Sequence, residues 1–139
     1  MTYTYKNVLT LLMLSAACCI GAEAQKIILG TYNFKKDGGV YTGELVKRKP
    51  HGKGKTTYAN GDSYEGEYHK GKRQGQGTFI FANGERYEGQ WLQDEQHGRG
   101  TYYFLDNNKY VGLWYRDAKH GKGVMYYYNG DVYDGNWED

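Results

Sequence analysis

Cysteine, proline and long aliphatic runs are scarce in this 139-residue chain, and each absence removes a class of structure. Cys18 and Cys19 are the only cysteines, so the rest of the chain has no disulfide framework, thiolate nucleophile or cysteine metal site. Proline occurs once, at Pro50, and no long aliphatic run follows Leu29. A conventional globular core is therefore not expected, although the 17% of aromatic residues argues against disorder. The net charge of +2 predicts no nucleic-acid partner.

The first 24 residues have the pattern of a secretory signal peptide. Lys6 is the only charge ahead of an apolar run from Val8 to Ile20, and Ala22-Glu23-Ala24 offers small residues at both recognition positions. We expect a signal-peptide helix at 1–24, cleavage before Gln25, and a secreted, periplasmic or cell-envelope location.

Two alternatives for this segment stay open. The apolar run is short for a bilayer span, but it is compatible with an uncleaved anchor or an interfacial helix. Leu14-Ser15-Ala16-Ala17-Cys18 also resembles a bacterial lipobox, with its large apolar residue one place further upstream than usual. In that case the chain would be lipid-anchored through Cys18 or Cys19.

A repeat of 23 residues runs through the rest of the chain. Each copy has a tyrosine, a glycine two places on, and an aromatic or aliphatic residue two places further. A glycine pair, a second aromatic and Asn-Gly complete the unit, with Asn107 once replacing the last glycine. The first three positions are Tyr41, Tyr64, Tyr87, Tyr110 and Tyr133; Gly43, Gly66, Gly89, Gly112 and Gly135; and Leu45, Tyr68, Trp91, Trp114 and Trp137. Copies in register without insertion predict a stacked repeat architecture.

Each unit predicts a β-hairpin, because Tyr-x-Gly-x-Trp alternates with the period of a strand. Asn-Gly predicts a two-residue type I′ turn with positive φ at both residues, and Asn107 also tolerates positive φ. The polar connection from Lys47 to His51 is predicted to be a longer loop. We expect an all-β, elongated single antiparallel sheet, with a degenerate cap strand and turn at 25–38 and four and a half repeats at 39–139. Whether the array continues beyond Asp139 is left open.

These motifs resemble those of a known repeat family. Tyr64-Glu65-Gly66-Glu67-Tyr68, Gly75-Gln76-Gly77 and Asn83-Gly84 are similar to the membrane occupation and recognition nexus (MORN) repeat, and Tyr87-Glu88-Gly89-Gln90-Trp91 with His97-Gly98-Arg99-Gly100 matches more fully. The resemblance covers about residues 39–139 and departs at Leu45 and Asn107. It implies stacked hairpins and a role in scaffolding, dimerisation or membrane association. It implies no catalysis, because enzymes with such repeats carry their chemistry in a separate domain.

The two faces of the predicted sheet differ in composition. Alternation places Tyr41, Gly43 and Leu45 on one face. The aromatic rings of this face form the core, and they cover the backbone where glycine has no side chain. The other face is polar in the first repeats and apolar later. Its apolar members form a candidate partner surface: Tyr103, Leu105, Val111, Leu113, Tyr115, Tyr126 and Tyr128. An exposed apolar patch predicts a protein partner or a second copy, unless strand twist or the N-terminal cap covers it.

Basic residues concentrate in the segments predicted to be the longer loops at one edge of the sheet. They form a candidate anion-binding edge: Lys47, Arg48, Lys49, Lys53, Lys55, Lys70, Lys72, Arg73, Arg116, Lys119 and Lys122. Such a stripe attracts anionic lipid headgroups or polyanions. The alternative is a solvated edge that prevents edge pairing, since Asp94, Glu95 and Asp117 interrupt the stripe.

No arrangement of residues predicts catalysis, a metal or a cofactor. His51, His97 and His120 share one repeat position, so neighbours lie about 10 Å apart, too far to share a zinc ion, and His69 stands alone. Ser63 has no nucleophile setting, and the Gly-x-Gly pairs lack the strand-to-helix context of a phosphate-binding loop. We expect a non-catalytic extracytoplasmic interaction and scaffold module without a small-molecule substrate. Peripheral membrane or polyanion binding is the alternative, and carbohydrate binding on exposed tyrosines stays open.

Overall fold

The computed structural model describes residues 24–138. Ten strands form one antiparallel sheet in which each strand pairs with its neighbours in sequence. The strands are β1 (Ile27–Asn33), β2 (Val40–Val46), β3 (Lys49–Thr57), β4 (Ser63–His69), β5 (Lys72–Ile80), β6 (Arg86–Leu92), β7 (Glu95–Tyr103), β8 (Lys109–Tyr115), β9 (Ala118–Tyr126) and β10 (Val132–Trp137). The predicted all-β single sheet is confirmed. The predicted signal-peptide helix and the Cys18 or Cys19 anchor lie outside the described residues.

One glycine of every strand lies in a single line across the sheet. Cross-strand pairing joins Gly30, Gly43, Gly54, Gly66, Gly77, Gly89, Gly100, Gly112, Gly123 and Gly135 in that order. A Cβ at Gly77 would overlap the phenol ring of Tyr64, and one at Gly100 would overlap Tyr87. The glycines are therefore required because a tyrosine ring lies directly against the backbone.

The core is one row of rings on one face of this sheet. Tyr41, Tyr64, Tyr87 and Tyr110 are 0% exposed. Each donates its hydroxyl hydrogen to the carbonyl oxygen three residues on, as from Tyr87 to Gln90 at 2.9 Å. Trp91 lies edge-on between Tyr64 and Tyr87, with ring centroids 5.3 and 5.2 Å away. We call this side the core face and the opposite side the open face.

The tight turns lie at the edge where longer loops were predicted. Strands β2 and β3 are joined by Lys47 and Arg48 alone, with φ of 49° and 63°. Positive φ at both turn residues is the type I′ conformation, whose twist matches that of the flanking strands. The remaining polar residues of the predicted loop belong to β3, which bulges opposite Glu44. The prediction of a long connection here is therefore wrong.

The Asn-Gly dipeptides lie in wider turns at the opposite edge. Between Thr57 and Ser63, Gly61 N–H donates to the Tyr58 carbonyl at 3.1 Å, and only the glycine of Asn60-Gly61 has positive φ. The Asn60 side chain accepts a hydrogen bond from Asp62 N–H at 3.0 Å, which forms an Asx turn. The predicted type I′ geometry at Asn-Gly is therefore wrong. The prediction that Asn107 adopts positive φ is confirmed, at 63°.

Candidate interaction surfaces

The open face carries a side chain that closes the bulge in the first three repeats. Glu44 accepts a hydrogen bond from Lys53 N–H at 2.6 Å, Glu67 from Gln76 N–H at 2.5 Å, and Gln90 from Arg99 N–H at 2.7 Å. The equivalent residue of the fourth repeat is Leu113, which has no oxygen acceptor. The fourth repeat therefore replaces a local hydrogen bond by an apolar side chain.

Five residues of the predicted partner surface lie on the open face of β7, β8 and β9, and we call them the apolar patch. They are Tyr103, Val111, Leu113, Tyr115 and Tyr126. Tyr103 is partly buried, and the other four are 38–44% exposed. The described cap strand β1 lies at the other end of the strand order, so it does not cover them.

Leu105 and Tyr128 are placed differently from the prediction. They lie in the wide turns that follow β7 and β9, and they are 61% and 76% exposed. The predicted alternation does not hold past the ends of β7 and β9, where side chains no longer follow the two faces of a sheet. Both residues border the apolar patch at the wide-turn edge but are not part of its strand surface.

Cations lie over the patch tyrosines. The Arg86 guanidinium carbon is 4.1 Å from the Tyr103 ring centroid, and Lys109 Nζ is 5.0 Å from that of Tyr126. Arg86 also pairs with Glu88 at 2.9 Å. The patch thus combines aromatic rings with an arginine, and both residue types are enriched in protein interfaces.

The predicted anion-binding edge divides into three groups in the structure. Lys47, Arg48, Lys49, Lys70, Lys72 and Arg116 are exposed at or beside the tight turns, as predicted. Lys53, Lys55 and Lys122 lie within strands on the open face, where Lys53 is the cross-strand neighbour of Glu67 and Lys55 that of Glu65. Their assignment to the edge is wrong, because the segments thought to be loops are strand.

Arg73 and Lys119 are also wrongly assigned, because both lie on the core face. Arg73 stacks on Trp91, with its guanidinium carbon 4.5 Å from the ring centroid. Lys119 Nζ is 4.9 Å from the Trp137 ring and 5.1 Å from Phe104, and burial lowers the pKa of this lysine. Cation–π contact and partial burial make both residues part of the packing.

One pair of histidines lies closer together than the sequence indicated. His69 does not stand alone, because its ring centroid is 4.8 Å from that of His51 on the neighbouring strand. His97 and His120 each contact Tyr115, at 5.4 and 5.7 Å. Within residues 24–138, no three histidine, cysteine or acidic side chains come together as potential metal ligands.

The core tyrosines are held in their neutral form. Burial, together with the neighbouring Glu44 carboxylate, raises the pKa of Tyr41 to about 12. Burial likewise raises the pKa of Tyr64, and burial together with the charge of Asp117 raises that of Tyr87. Their hydroxyls therefore act as hydrogen-bond donors to the backbone across the physiological pH range.

Sequence reasoning missed a shallow groove on the core face, which extends from the second repeat across the third to the start of the fourth. Aromatic rings line it, and two carboxylates lie at its rim, Asp94 and Asp117. Asp94 forms an ion pair with Arg73 at 3.2 Å. The only sequence signal was that Asp94 and Asp117 recur 23 residues apart in turns that otherwise carry bases.

The fold defines a β-repeat protein built from one sheet. The family model described as MORN repeat matches residues 41–63, 64–86, 87–109 and 110–132, which is more than half of the chain. The chain belongs to the MORN repeat family, as its motifs predicted. Repeats of this family are commonly involved in protein or membrane interactions. A comparison with curated proteins gave no match. Among residues 24–138, no helix has the length and apolar character needed to cross a bilayer.

Proposed function

We propose that this chain is a non-catalytic, extracytoplasmic interaction module whose apolar patch binds a protein partner. The observation that carries the proposal is the change along the open face. One repeat position of the open face is polar in the first three repeats and apolar in the fourth: Thr42, Glu65, Glu88 and Val111. The position two residues further on changes in the same way: Glu44, Glu67, Gln90 and Leu113. Exposed apolar side chains at positions that are polar in the earlier repeats are not needed by the repeat fold.

The chemistry of the patch favours a protein as its partner. Tyrosine rings supply large contact areas with few rotatable bonds, and tyrosine and arginine are enriched among residues that dominate binding energy. Tyr103 with Arg86, and Tyr115 with Arg116, provide two such pairs. Val111 and Leu113 supply the apolar centre between them.

The extracytoplasmic location in this proposal is supported by the N-terminal sequence. The apolar run Val8–Ile20 followed by Ala22-Glu23-Ala24 is the pattern of an exported precursor. Mass spectrometry of the protein from its native host tests this location. A mature N-terminus at Gln25 is expected, and an intact N-terminus would contradict export by cleavage at this site.

The partner surface is tested by returning two patch residues to the types found in the preceding repeat. Val111→Glu with Leu113→Gln copies Glu88 and Gln90, so the variant is expected to fold. The amide introduced by Leu113→Gln can accept a hydrogen bond from Lys122 N–H, as Gln90 does from Arg99, which adds about 1 kcal/mol of stability. We expect the double variant to lose partner capture from native envelope extract, measured by quantitative mass spectrometry.

The matched control carries Glu65→Gln and Glu67→Gln, on the same face two repeats earlier. It should capture the same partner as the unmodified chain. A concentration series in analytical ultracentrifugation shows whether the partner is a second copy, because self-association would then also disappear in the double variant. Equal capture or equal self-association by both variants would show that the apolar patch is not the binding surface.

A second candidate function is binding to an anionic membrane through the basic tight-turn edge. Lys47, Arg48, Lys49, Lys70 and Lys72 are all exposed around the first two tight turns. Within residues 24–138, no carboxylate pairs with any of them. Basic groups near a charged surface contribute about 1 kcal/mol each.

Liposome co-sedimentation tests this candidate. If it holds, the protein binds phosphatidylserine vesicles at low salt and not at high salt, because screening weakens the attraction. Replacing Lys47, Arg48 and Lys49 with glutamine should then reduce binding more than about tenfold. Lys53→Gln with Lys122→Gln removes two bases from the open face and should have a smaller effect. Absence of binding at every salt concentration would remove this function.

A further inference from the structure

Arg73 of the second repeat is a cation held on the core face by two residues of the third repeat, Trp91 and Asp94. Arg73 stacks on Trp91, and its Nε donates to Asp94 Oδ1 at 3.2 Å while Nη2 donates to the Asp94 carbonyl at 2.8 Å. Arg73 N–H also donates to Asp94 Oδ1, at 2.9 Å. The Trp91 ring, the Asp94 carboxylate and the Asp94 carbonyl together bind the guanidinium group of Arg73.

One repeat further on, residues of the third and fourth repeats form the same arrangement without the cation. Asp117 occupies the position of Asp94, and its Oδ1 accepts a hydrogen bond from Gln96 N–H at 2.7 Å. Trp114 stands in the place of Trp91 and Tyr102 in the place of Phe79, with ring centroids 6.0 Å apart. Position 96 is a neutral glutamine, and within residues 24–138 no basic side chain forms an ion pair with Asp117. The Asp117 carboxylate is oriented like that of Asp94 but has no guanidinium partner among the described residues.

The shallow groove on the core face lies between these two sites. Phe81, Trp91, Tyr102 and Trp114 line it, and Arg73, Asp94 and Asp117 are its charged residues. Arg73 and Asp94 neutralise each other at 3.2 Å, so the charge left at the rim is the negative one of Asp117. Aromatic faces beside an uncompensated carboxylate favour a cation.

We infer that this groove binds the guanidinium of an arginine side chain from a partner protein, stacked on Tyr102 and Trp114 and paired with Asp117. Arginine fits better than lysine because a planar guanidinium stacks on rings and donates to two acceptors at once. The chain's own Arg73 shows this geometry one repeat earlier. The groove lies on the core face, so this site is separate from the apolar patch and does not depend on the proposed function.

The three tryptophans make the site directly measurable. Trp91 and Trp114 border the groove, whereas Trp137 is next to Lys119 in a site that already holds a cation. The probe is the peptide acetyl-Gly-Arg-Gly-amide, added to isotope-labelled protein while the indole N–H signals are followed by NMR. We expect the signals of Trp91 and Trp114 to shift and saturate in the millimolar range, while that of Trp137 stays in place. The same peptide with citrulline, which is neutral, should produce no shift.

Two variants separate the site from general peptide binding. Asp117→Asn keeps an oxygen for Gln96 N–H but removes the charge, and it should weaken binding about tenfold. Gln96→Arg supplies an internal guanidinium, as Arg73 does, and should abolish binding. Asp131→Asn, at the wide-turn edge, should bind like the unmodified protein. The inference is overturned if the peptide causes no shift, if citrulline binds equally, or if Asp117→Asn binds as tightly as Asp131→Asn.

Discussion

Replacing Gly77 with alanine is expected to destabilise the folded sheet by about 3 kcal/mol. The added Cβ would overlap the hydroxyl and the adjoining ring carbons of Tyr64. That ring has no room to withdraw, because Tyr64 is 0% exposed and lies edge-on against Tyr68 and Trp91 at 5.2 and 5.3 Å. Its hydroxyl is also held by the Glu67 carbonyl at 2.9 Å. Guanidinium chloride denaturation followed by tryptophan fluorescence measures the loss.

The control for this variant is alanine at Gly71 in the second tight turn. Gly71 has φ of 85°, and a Cβ there would meet nothing within 4 Å. Gly71→Ala therefore introduces backbone strain without a collision, at about 1–2 kcal/mol. Gly77 has no positive φ, so Gly77→Ala introduces a collision without that strain. If Gly71→Ala were as destabilising as Gly77→Ala, ring overlap would not be the reason that the glycine line is required.

The sheet could be predicted from the sequence because its physical cause repeats along the chain. Each tyrosine needs a glycine beneath its ring and an aromatic residue beside it, so Tyr64, Gly66 and Tyr68 recur with fixed spacing. This pattern identified the strands, the core face and the order of the hairpins. The pattern arises only from contacts within a repeat and between adjacent repeats. Such contacts recur with the 23-residue period, so the sequence reveals them.

The turns could not be predicted from local preference because the glycine line determines them. Gly54 pairs with Gly66, so that hairpin is symmetric about Asn60 itself. A loop centred on one residue has an odd number of residues, which excludes the two-residue turn that Asn-Gly favours in isolation. At the other edge, the bulge opposite Glu44 shifts the register and leaves only Lys47 and Arg48 for the turn. Register therefore overrides turn propensity at both edges.

The candidate surfaces were predictable only where strand alternation holds. Val111, Leu113 and Tyr115 alternate within β8 and lie on the predicted face, whereas Leu105 lies beyond the end of β7. Arg73 and Lys119 share a repeat position with Pro50 and Gln96, and only the structure shows that this position is buried. The groove beside Asp117 depends on side-chain geometry between two repeats, which composition and spacing do not display.

Truncating Trp91 to alanine is expected to remove about 4 kcal/mol of stability. Trp91 is 5% exposed and contacts Tyr64 of the preceding repeat and Tyr87 of its own. Its indole N–H also donates to the Gly77 carbonyl at 3.2 Å, and Arg73 stacks on its ring. Through these contacts the Trp91 side chain joins β4, β5 and β6. Its loss would leave a cavity and expose the Arg73 guanidinium at the centre of the array.

The position of Trp91 predicts a change in cooperativity as well as in stability. In a repeat array each unit is stabilised chiefly by its neighbours, so a weakened central interface lets the two ends unfold separately. Trp91→Ala should therefore broaden the denaturation curve, lower its m-value and separate the fluorescence transition from the circular dichroism transition. Trp137→Ala, in the terminal strand, removes contacts to Tyr110 and Tyr133 only at the end of the sheet, so it should cost less and leave the remaining transition cooperative. Coincident, sharp transitions for Trp91→Ala would mean that stability is not transmitted through the row of rings, and that the backbone ladder alone makes the sheet cooperative.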